Sequence, residues 1–161
     1  MYNATYMNEE KQYLSKEKFQ ELSDELETLK SERRREIAEK LEFAKSLGDL
    51  SENAEYQEAR QEQATIEDRI LNLETLLSNA EIIPEGSKKT DKVRVGSRVT
   101  VSRDGKKTEY SIVGPEEVDI AEGKISNKSP IGEALMGAAK GDVVTYTTPH
   151  GEASVKIIDI A

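Results

Sequence analysis

The sequence predicts an α+β protein in which an antiparallel α-helical coiled-coil hairpin precedes a small α+β domain. Apolar residues in the first half recur at alternating spacings of three and four, whereas the second half has short β-branched runs broken by glycine. The change falls at the Pro-Glu-Gly of residues 84–86. We therefore expect the hairpin over residues 1–84, with 1–13 flexible, and the second domain over residues 85–161.

Two long helices are predicted in the first half. Ser15 is a favoured N-cap residue for the first helix, and Gly48 follows its end as glycine often does. In the first helix the seam runs through Phe19, Leu22, Leu26, Leu29, Arg33, Ile37, Leu41 and Ala44, and in the second through Ala59, Gln63, Ile66, Ile70, Leu73, Leu77 and Ala80. Intervals of four from Arg33 to Leu41 form a stutter, which locally unwinds a supercoil. Each arm should be roughly 40 Å long.

The second half reads as strands and one short helix. We predict strands at residues 93–101, 108–113, 123–126, 143–147 and 153–160. Asp104-Gly105 is a type I′ turn signal between the first two strands, and Ser129-Pro130 is a helix-start signal. The acidic residues Glu116, Glu117 and Asp119 fall in a predicted turn, where they are interpreted as solvated surface.

Composition excludes several classes of function. The 161 residues carry 23 Lys+Arg against 32 Asp+Glu, for a net charge of −9, and this acidity argues against wrapping bare nucleic acid. Aromatic residues make up 5% and tryptophan is absent, which disfavours a small-molecule enzyme pocket. Without cysteine and with one histidine, a metal would have to be a hard ion held by carboxylates. No stretch is long enough to span a membrane, so we expect a soluble, cytoplasmic protein.

The segment 48–56, GDLSENAEY, lies where the two long helices must reverse. One interpretation of Asp49 and Glu52 is a capping box, in which Asp49 caps the second helix and Glu52 reaches back to it. The other is that two carboxylates three positions apart converge on one small cation. Two carboxylates do not complete a Mg²⁺ site, but they can finish one inside a partner.

This segment, together with SPIG at 129–132 and KGD at 140–142, closely resembles the bacterial GreA/GreB transcript cleavage factors. The resemblance runs from about Leu14 to the C-terminus, and the motif at 48–56 is highly specific. The modest basic patch suits the GreA branch of the family better than the GreB branch.

The resemblance implies a transcription elongation factor that passes its hairpin through the secondary channel of RNA polymerase and rescues backtracked complexes. Asp49 and Glu52 match the acids that help hold a second Mg²⁺ for cleavage of the nascent RNA near its 3′ end. The polymerase supplies the other metal and the rest of the site. The factor is therefore not expected to be an enzyme alone, to bind a cofactor alone or to act as an oligomer.

Other residues near the reversal have supporting roles in this interpretation. The resemblance implies that Lys45 and Arg60 contact the extruded RNA, mainly at phosphate. The residues interpreted as supporting the tip are Leu50, Ser51, Asn53 and Tyr56, of which Tyr56 is expected to pack. The remaining basic residues are interpreted as a solvated face with two helical ion pairs, Glu36 with Lys40 and Arg35 with Glu39.

By resemblance the second domain has an FKBP-like fold and grips the rim of the polymerase secondary channel. Two alternatives remain: a non-cleaving regulator that occupies the same channel, and an FKBP-like prolyl isomerase or chaperone. The acids of the tip argue against the first. The scarcity of aromatic residues in the second half, where only Tyr110 and Tyr146 occur, argues against the second.

Overall fold

A computed structural model of the protein describes residues 11–48, 52–84 and 90–161. The chain forms two compact units, each described here by itself. The helical unit is Phe19–Asn79, and the sheet unit combines Met1–Lys18 with Ala80–Ala161. This division follows spatial packing, and the boundary expected along the chain between residues 84 and 85 stays a prediction.

The helical unit is the predicted antiparallel hairpin. Its helices are α1 (Lys16–Thr28), α2 (Arg34–Ser46) and α3 (Ala54–Ser78), and a π-helical turn over Leu29–Arg33 joins α1 to α2. The cluster at the centre of the hairpin consists of buried Ile37, Ile66 and Ile70, with Leu26, Leu29 and Leu41 packed against them. Leu22, Ala44, Ala59 and Leu73 are buried as well, so the apolar stripe extends on both sides of this cluster.

The π-helical turn lies beside the predicted stutter. Spacings of four at the seam exceed the 3.6 residues of an α-helical turn, so the seam would drift away from the partner helix. A π-helical turn accommodates an extra residue. It brings the following seam residue Ile37 back to the interior, where Ile37 is 2% exposed.

The predicted ends of the first arm are confirmed. Ser15 Oγ accepts a hydrogen bond of 3.1 Å from the Lys18 N–H, as an N-cap does. Gly48 has a φ of 128°, which glycine adopts without strain. The other arm ends sooner than predicted: α3 ends at Ser78, and Ala80, assigned to the helical seam, begins strand β2 instead.

A short parallel pair joins the two chain segments of the sheet unit. Strand β1 (Gln12–Leu14) pairs with β2 (Ala80–Ile82), with Gln12 opposite Ala80. Gln12 and Tyr13 were expected in the flexible segment 1–13, of which residues 1–10 lie outside the described part of the chain. Backbone hydrogen bonding and complete burial of Leu14 hold this stretch in the strand.

The remaining strands form a five-stranded sheet in the order β5-β4-β3-β7-β6. These strands are β3 (Arg98–Arg103), β4 (Lys106–Val113), β5 (Lys124–Ser126), β6 (Val143–Thr148) and β7 (Gly151–Ile160). Strands β4 and β5 are parallel, and the other neighbours are antiparallel. The core of the unit includes Val99, Val101, Ile112, Ile157 and Leu135 of helix α4 (Pro130–Leu135). The predicted α+β architecture is thus confirmed.

The turn signals of the second half are confirmed as well. Asp104 and Gly105 have φ values of 52° and 80°, as a type I′ turn requires. Ser129 caps α4, its Oγ accepting from the Gly132 N–H at 3.1 Å. The strand predicted for residues 93–101 is too long, however, because the chain turns at Gly96, whose φ is 94°.

Glu117 anchors the start of α1 to the sheet unit. Its carboxylate accepts hydrogen bonds from the Ser15 N–H at 2.8 Å and from Ser15 Oγ at 2.5 Å. Gly114, just before the 3₁₀ helix Pro115–Glu117, lies so close to Tyr13 that a Cβ at this position would be 1.9 Å from the Tyr13 carbonyl oxygen. The interpretation of Glu117 as solvated surface is therefore wrong.

Glu117→Gln is expected to destabilise the sheet unit by about 1–2 kcal/mol, because the amide replaces one of two acceptor oxygens with a donor. Thermal unfolding measures this change. Glu116→Gln is the matched control, since Glu116 is exposed and has no partner among the described residues. Equal unfolding midpoints for the two variants would contradict the anchoring role.

Candidate functional site

The candidate site is the reversal between α2 and α3, at the end of the hairpin opposite the chain's entry to and exit from the helical unit. Helix α2 ends at Ser46, and the chain turns away at Gly48. Helix α3 begins at Ala54. The three residues Asp49, Leu50 and Ser51 lie outside the described residues.

Asn53 is the N-cap of α3. Its Oδ1 accepts from the Tyr56 N–H at 3.0 Å, and its Nδ2 donates to the Ala44 carbonyl oxygen of α2 at 2.6 Å. The interpretation of Asp49 and Glu52 as a capping box places the start of this helix four residues too early. The segment 48–56 contains several polar residues that could cap a helix, and in the structure Asn53 is the one that caps α3.

Glu52 is thereby left out of the cap. Its side chain is exposed, and it has no hydrogen-bond or ion-pair partner among the described residues. Its carboxylate therefore lies at the surface of the reversal. Where Asp49 lies relative to it is not described, so the predicted pairing of the two acids stays a prediction.

The helices approach closely behind the reversal. Ala44 is 1% exposed and Ala59 is 4% exposed, and such small side chains permit close packing. Tyr56 is half-buried, which is compatible with the packing role expected of it.

An ion-pair ladder connects α3 with the other arm. Arg34 makes a two-pronged bond to Glu67 at 2.8 and 2.7 Å, and Arg69 makes a similar bond to Glu25 at 2.7 and 2.9 Å. Lys30 also pairs with Glu74. These pairs cross between the arms, so they favour one antiparallel register.

Glu62 extends the ladder toward the reversal by pairing with two basic residues of the other arm. It accepts from Arg33 at 3.0 Å and from Lys40 at 2.8 Å. The predicted pair of Glu36 with Lys40 is therefore wrong: Glu36 pairs with Arg33, one turn earlier.

The acids of this ladder are stabilised in their charged form. The hydrogen bond from Lys40 lowers the pKa of Glu62, and that from Arg34 lowers the pKa of Glu67. The hydrogen bond to Glu67 in turn raises the pKa of Arg34. Both acids are therefore ionised at neutral pH, and the ladder persists there.

Lys45 and Arg60 remain outside the ladder. Both side chains are exposed and have no ion-pair partner among the described residues. The same holds for Arg35, so the predicted pair of Arg35 with Glu39 is not formed in the described structure. The contact of Lys45 and Arg60 with RNA stays a prediction, and the structure places both side chains at the surface near the reversal.

Two apolar residues near the reversal were not singled out from the sequence. Phe43 is 61% exposed and Leu47 is 55% exposed. Phe43 also lines a shallow groove of about 210 Å³ with Lys40, Glu55 and Glu58. The signal was present, because Phe43 lies two positions beyond the seam residue Leu41 and one before Ala44, and therefore falls outside the buried seam.

The sheet unit contains a cavity of about 320 Å³. Its lining includes Tyr13, Ile82, Ile83, Arg94 and Met136, and Tyr13 is the one aromatic side chain among the lining residues. An aromatic-lined isomerase pocket is not formed by this lining. Within the described residues, no helix is long and apolar enough to cross a bilayer.

The fold and this site together define a factor that presents the end of a helical hairpin, joined to a sheet domain. Two family models match the chain. That described as "Transcription elongation factor, N-terminal" covers residues 12–82, and that described as "Transcription elongation factor, GreA/GreB, C-term" covers residues 88–161. The chain belongs to the GreA/GreB family of transcription elongation factors. Factors of this family act on RNA polymerase.

Named relatives support this assignment over nearly the whole chain. Transcription elongation factor GreA of Geobacillus kaustophilus is 47% identical over 157 residues, which cover 96% of this chain and 99% of the relative. That of Acetivibrio thermocellus is 48% identical over 149 residues, covering 91% and 94%.

Among solved structures, GreA factor homolog 1 of Thermus thermophilus is 32% identical, with a TM-score of 0.44. The match covers 94% of this chain and 99% of that one. The GreA/GreB factor of Nitrosomonas europaea is 25% identical, with a TM-score of 0.41, and covers 94% and 99%.

Proposed function

We propose that this elongation factor stimulates the cleavage of nascent RNA by RNA polymerase. In this proposal the hairpin end enters the secondary channel of a backtracked complex and reaches the active centre. The observation that carries the proposal is the carboxylate of Glu52 at the helix reversal of a GreA/GreB family member, which is exposed and has no partner among the described residues. Cleavage removes the displaced RNA 3′ end, so that elongation resumes.

The chemistry of the tip acids fits a shared Mg²⁺. Glu52 offers an oxygen ligand without competition from a helix cap, and Asp49 would supply a second one. Mg²⁺ favours one or two carboxylates together with water and phosphate oxygens. A second Mg²⁺ held there would work with the Mg²⁺ of the polymerase in phosphodiester hydrolysis, one ion activating the attacking water and the other stabilising the leaving oxygen.

The polymerase must supply the remainder of the site. Two carboxylates leave most of an octahedral coordination sphere to water, RNA phosphate and polymerase groups. In this proposal the catalytic step belongs to the polymerase, and the factor contributes ligands and their placement. The factor works in the cytoplasm as a monomer and holds no cofactor by itself.

The sheet unit would dock at the rim of the channel. Ile120 is 84% exposed and Val118 is 44% exposed, in the turn that precedes β5. Exposed apolar side chains in neighbouring positions are suited to protein contact. If the sheet unit docks and the helical unit supplies the metal ligands, substitutions in the sheet unit should weaken binding, whereas substitutions at the reversal should lower cleavage.

Asp49→Asn and Glu52→Gln are each expected to lower RNA cleavage in backtracked polymerase by about 100-fold, because an amide is a poor Mg²⁺ ligand. Binding to polymerase should be unchanged, since docking does not use these oxygens. Cleavage rates at saturating factor, with binding measured by competition, test both statements. Glu55→Gln is the control, because Glu55 is an exposed acid in the first turn of α3.

Full cleavage by the double variant at positions 49 and 52 would refute the metal-ligand role. Binding without cleavage by the wild-type factor would favour the non-cleaving channel regulator instead.

Lys45→Ala and Arg60→Ala are expected to weaken the action of the factor on complexes with extruded RNA. Each lost phosphate contact should reduce the slope of log affinity against log salt by about 0.7, the value for single strands. A salt series of cleavage with short and long extruded RNA measures this slope. Arg35→Ala is the matched control, since Arg35 is equally exposed and unpaired among the described residues. Identical losses on complexes without extruded RNA would show that the two residues serve docking.

A further inference from the structure

We propose that Asn53 is a positioning residue that locks the end of the hairpin through both atoms of its side-chain amide. The inference deepens the proposed function and rests on it, because the lock matters for cleavage only if the tip acids act in the polymerase. The observation is one side chain with two partners on different helices. Oδ1 accepts from the Tyr56 N–H of α3, and Nδ2 donates to the Ala44 carbonyl oxygen of α2.

The second bond goes beyond what a helix cap needs. A cap requires only an acceptor, which aspartate or serine supplies as well as asparagine. Aspartate offers no donor when ionised, and serine has a single oxygen for both tasks. A serine hydroxyl can accept and donate at its one oxygen, as Ser15 Oγ does, but only a longer side chain such as the amide of Asn53 carries the acceptor and the donor on two separate atoms. The chemistry of residue 53 is therefore matched to the bridge as well as to the cap.

The acceptor of the bridge is the Ala44 carbonyl oxygen, in the last turn of α2. The last four carbonyl groups of a helix have no partner within that helix, and Ala44 belongs to the last turn of α2. Its oxygen also accepts from the Leu47 N–H at 3.2 Å, so this one carbonyl ties the end of α2 both to its own chain and to α3. The contact with Asn53 is partly buried, which limits competition from water.

The bridge spans the functional segment. Ala44 and Asn53 flank residues 45–52, which include Lys45, Asp49 and Glu52. Glu52 is joined directly to Asn53, whose carbonyl oxygen also accepts from the Gln57 N–H at 3.1 Å. Fixing residue 53 therefore restricts the backbone from which the Glu52 carboxylate projects. Such restriction favours a productive geometry, because small displacements of a catalytic group lower the rate steeply.

The ladder and the apolar stripe do not replace this bridge. On α3 the apolar contact nearest to Asn53 is at buried Ala59, six residues farther along, and the ion pair with Glu62 is nine residues farther along. Among the described residues, the amide of Asn53 is the side chain that hydrogen-bonds across the reversal itself. Loss of the bridge should free the tip while leaving the arms paired.

Asn53→Asp separates the bridge from the cap. The carboxylate still accepts from the Tyr56 N–H, but it cannot donate and faces the Ala44 carbonyl oxygen. Asn53→Ser is the uncharged companion, which keeps a cap acceptor. Its oxygen lies one bond closer to the backbone than Nδ2 does, so from the capping position it is not expected to reach the Ala44 carbonyl oxygen. Asn72→Asp is the matched control, because it makes the same chemical change at an exposed position of α3.

The first readout does not depend on activity. The chain lacks cysteine, so spin labels can be attached at Leu47→Cys, an exposed position between the two ends of the bridge, and at Glu58→Cys, an exposed position on α3. We expect a broader distance distribution between the labels in Asn53→Asp and Asn53→Ser than in wild type and Asn72→Asp. Helix content by circular dichroism checks that the variants remain folded. Unchanged distributions in both Asn53 variants would overturn the bridge.

The second readout is cleavage by backtracked polymerase over a series of factor concentrations. A positioning role predicts that the maximal rate falls about ten-fold in both Asn53 variants while the half-saturating concentration stays the same. A broadened distribution with a wild-type maximal rate would overturn the positioning role. Failure of the proposed function is distinguishable, because Glu52→Gln would then cleave at the wild-type rate while the label distances still report on the bridge.

Discussion

A two-helix hairpin can bury only one apolar stripe, and this constraint shapes the helical unit. The described stripe is centred on Ile37, Ile66 and Ile70 and includes buried Leu22 and Leu73, but contacts between similar aliphatic side chains alone specify the register weakly. Ion pairs between the arms specify the register further, because each arginine side chain forms a two-pronged hydrogen bond with one particular carboxylate. Exposed ion pairs contribute little stability individually, but several in one ladder disfavour a shifted register. At the end of the hairpin, the two helices are linked by the hydrogen bond from the Asn53 amide to the Ala44 carbonyl oxygen.

This arrangement separates rigidity from chemistry. Asn53 satisfies the backbone at the start of α3, and the ladder engages Lys40 and Glu62. Among the described residues near the reversal, Glu52, Lys45 and Arg60 are exposed and have no such partner, as are the neighbouring acids Glu55 and Glu58. A protein whose polar groups are all paired with one another has little left for a partner. Glu52, Lys45 and Arg60 lie near the helix reversal, which is the end of the hairpin that the proposed function inserts into the polymerase.

The sequence was sufficient for the features that depend on local chemistry. Ser15 and Ser129 as caps, Gly48 at the end of an arm and the Asp104-Gly105 turn follow from backbone preferences of individual residues, and the structure confirms them. Features set by distant partners were missed. The strand at Gln12–Leu14 exists because residues 80–82 lie beside it, and Glu117 is engaged because Ser15 reaches it across 102 positions. Neither partner is visible in a local pattern. The cap of α3 was missed for another reason, since segment 48–56 contains several polar residues that could each begin a helix.

The central claim is that the end of the hairpin contributes an acidic ligand to a Mg²⁺ in the active centre of the polymerase. The most direct test is the Mg²⁺ concentration that gives half-maximal RNA cleavage, compared between wild-type factor and Glu52→Gln on the same backtracked complex. The account predicts that the variant requires a markedly higher concentration, because the ion has lost one of its ligands. The same half-maximal concentration for both proteins would contradict it.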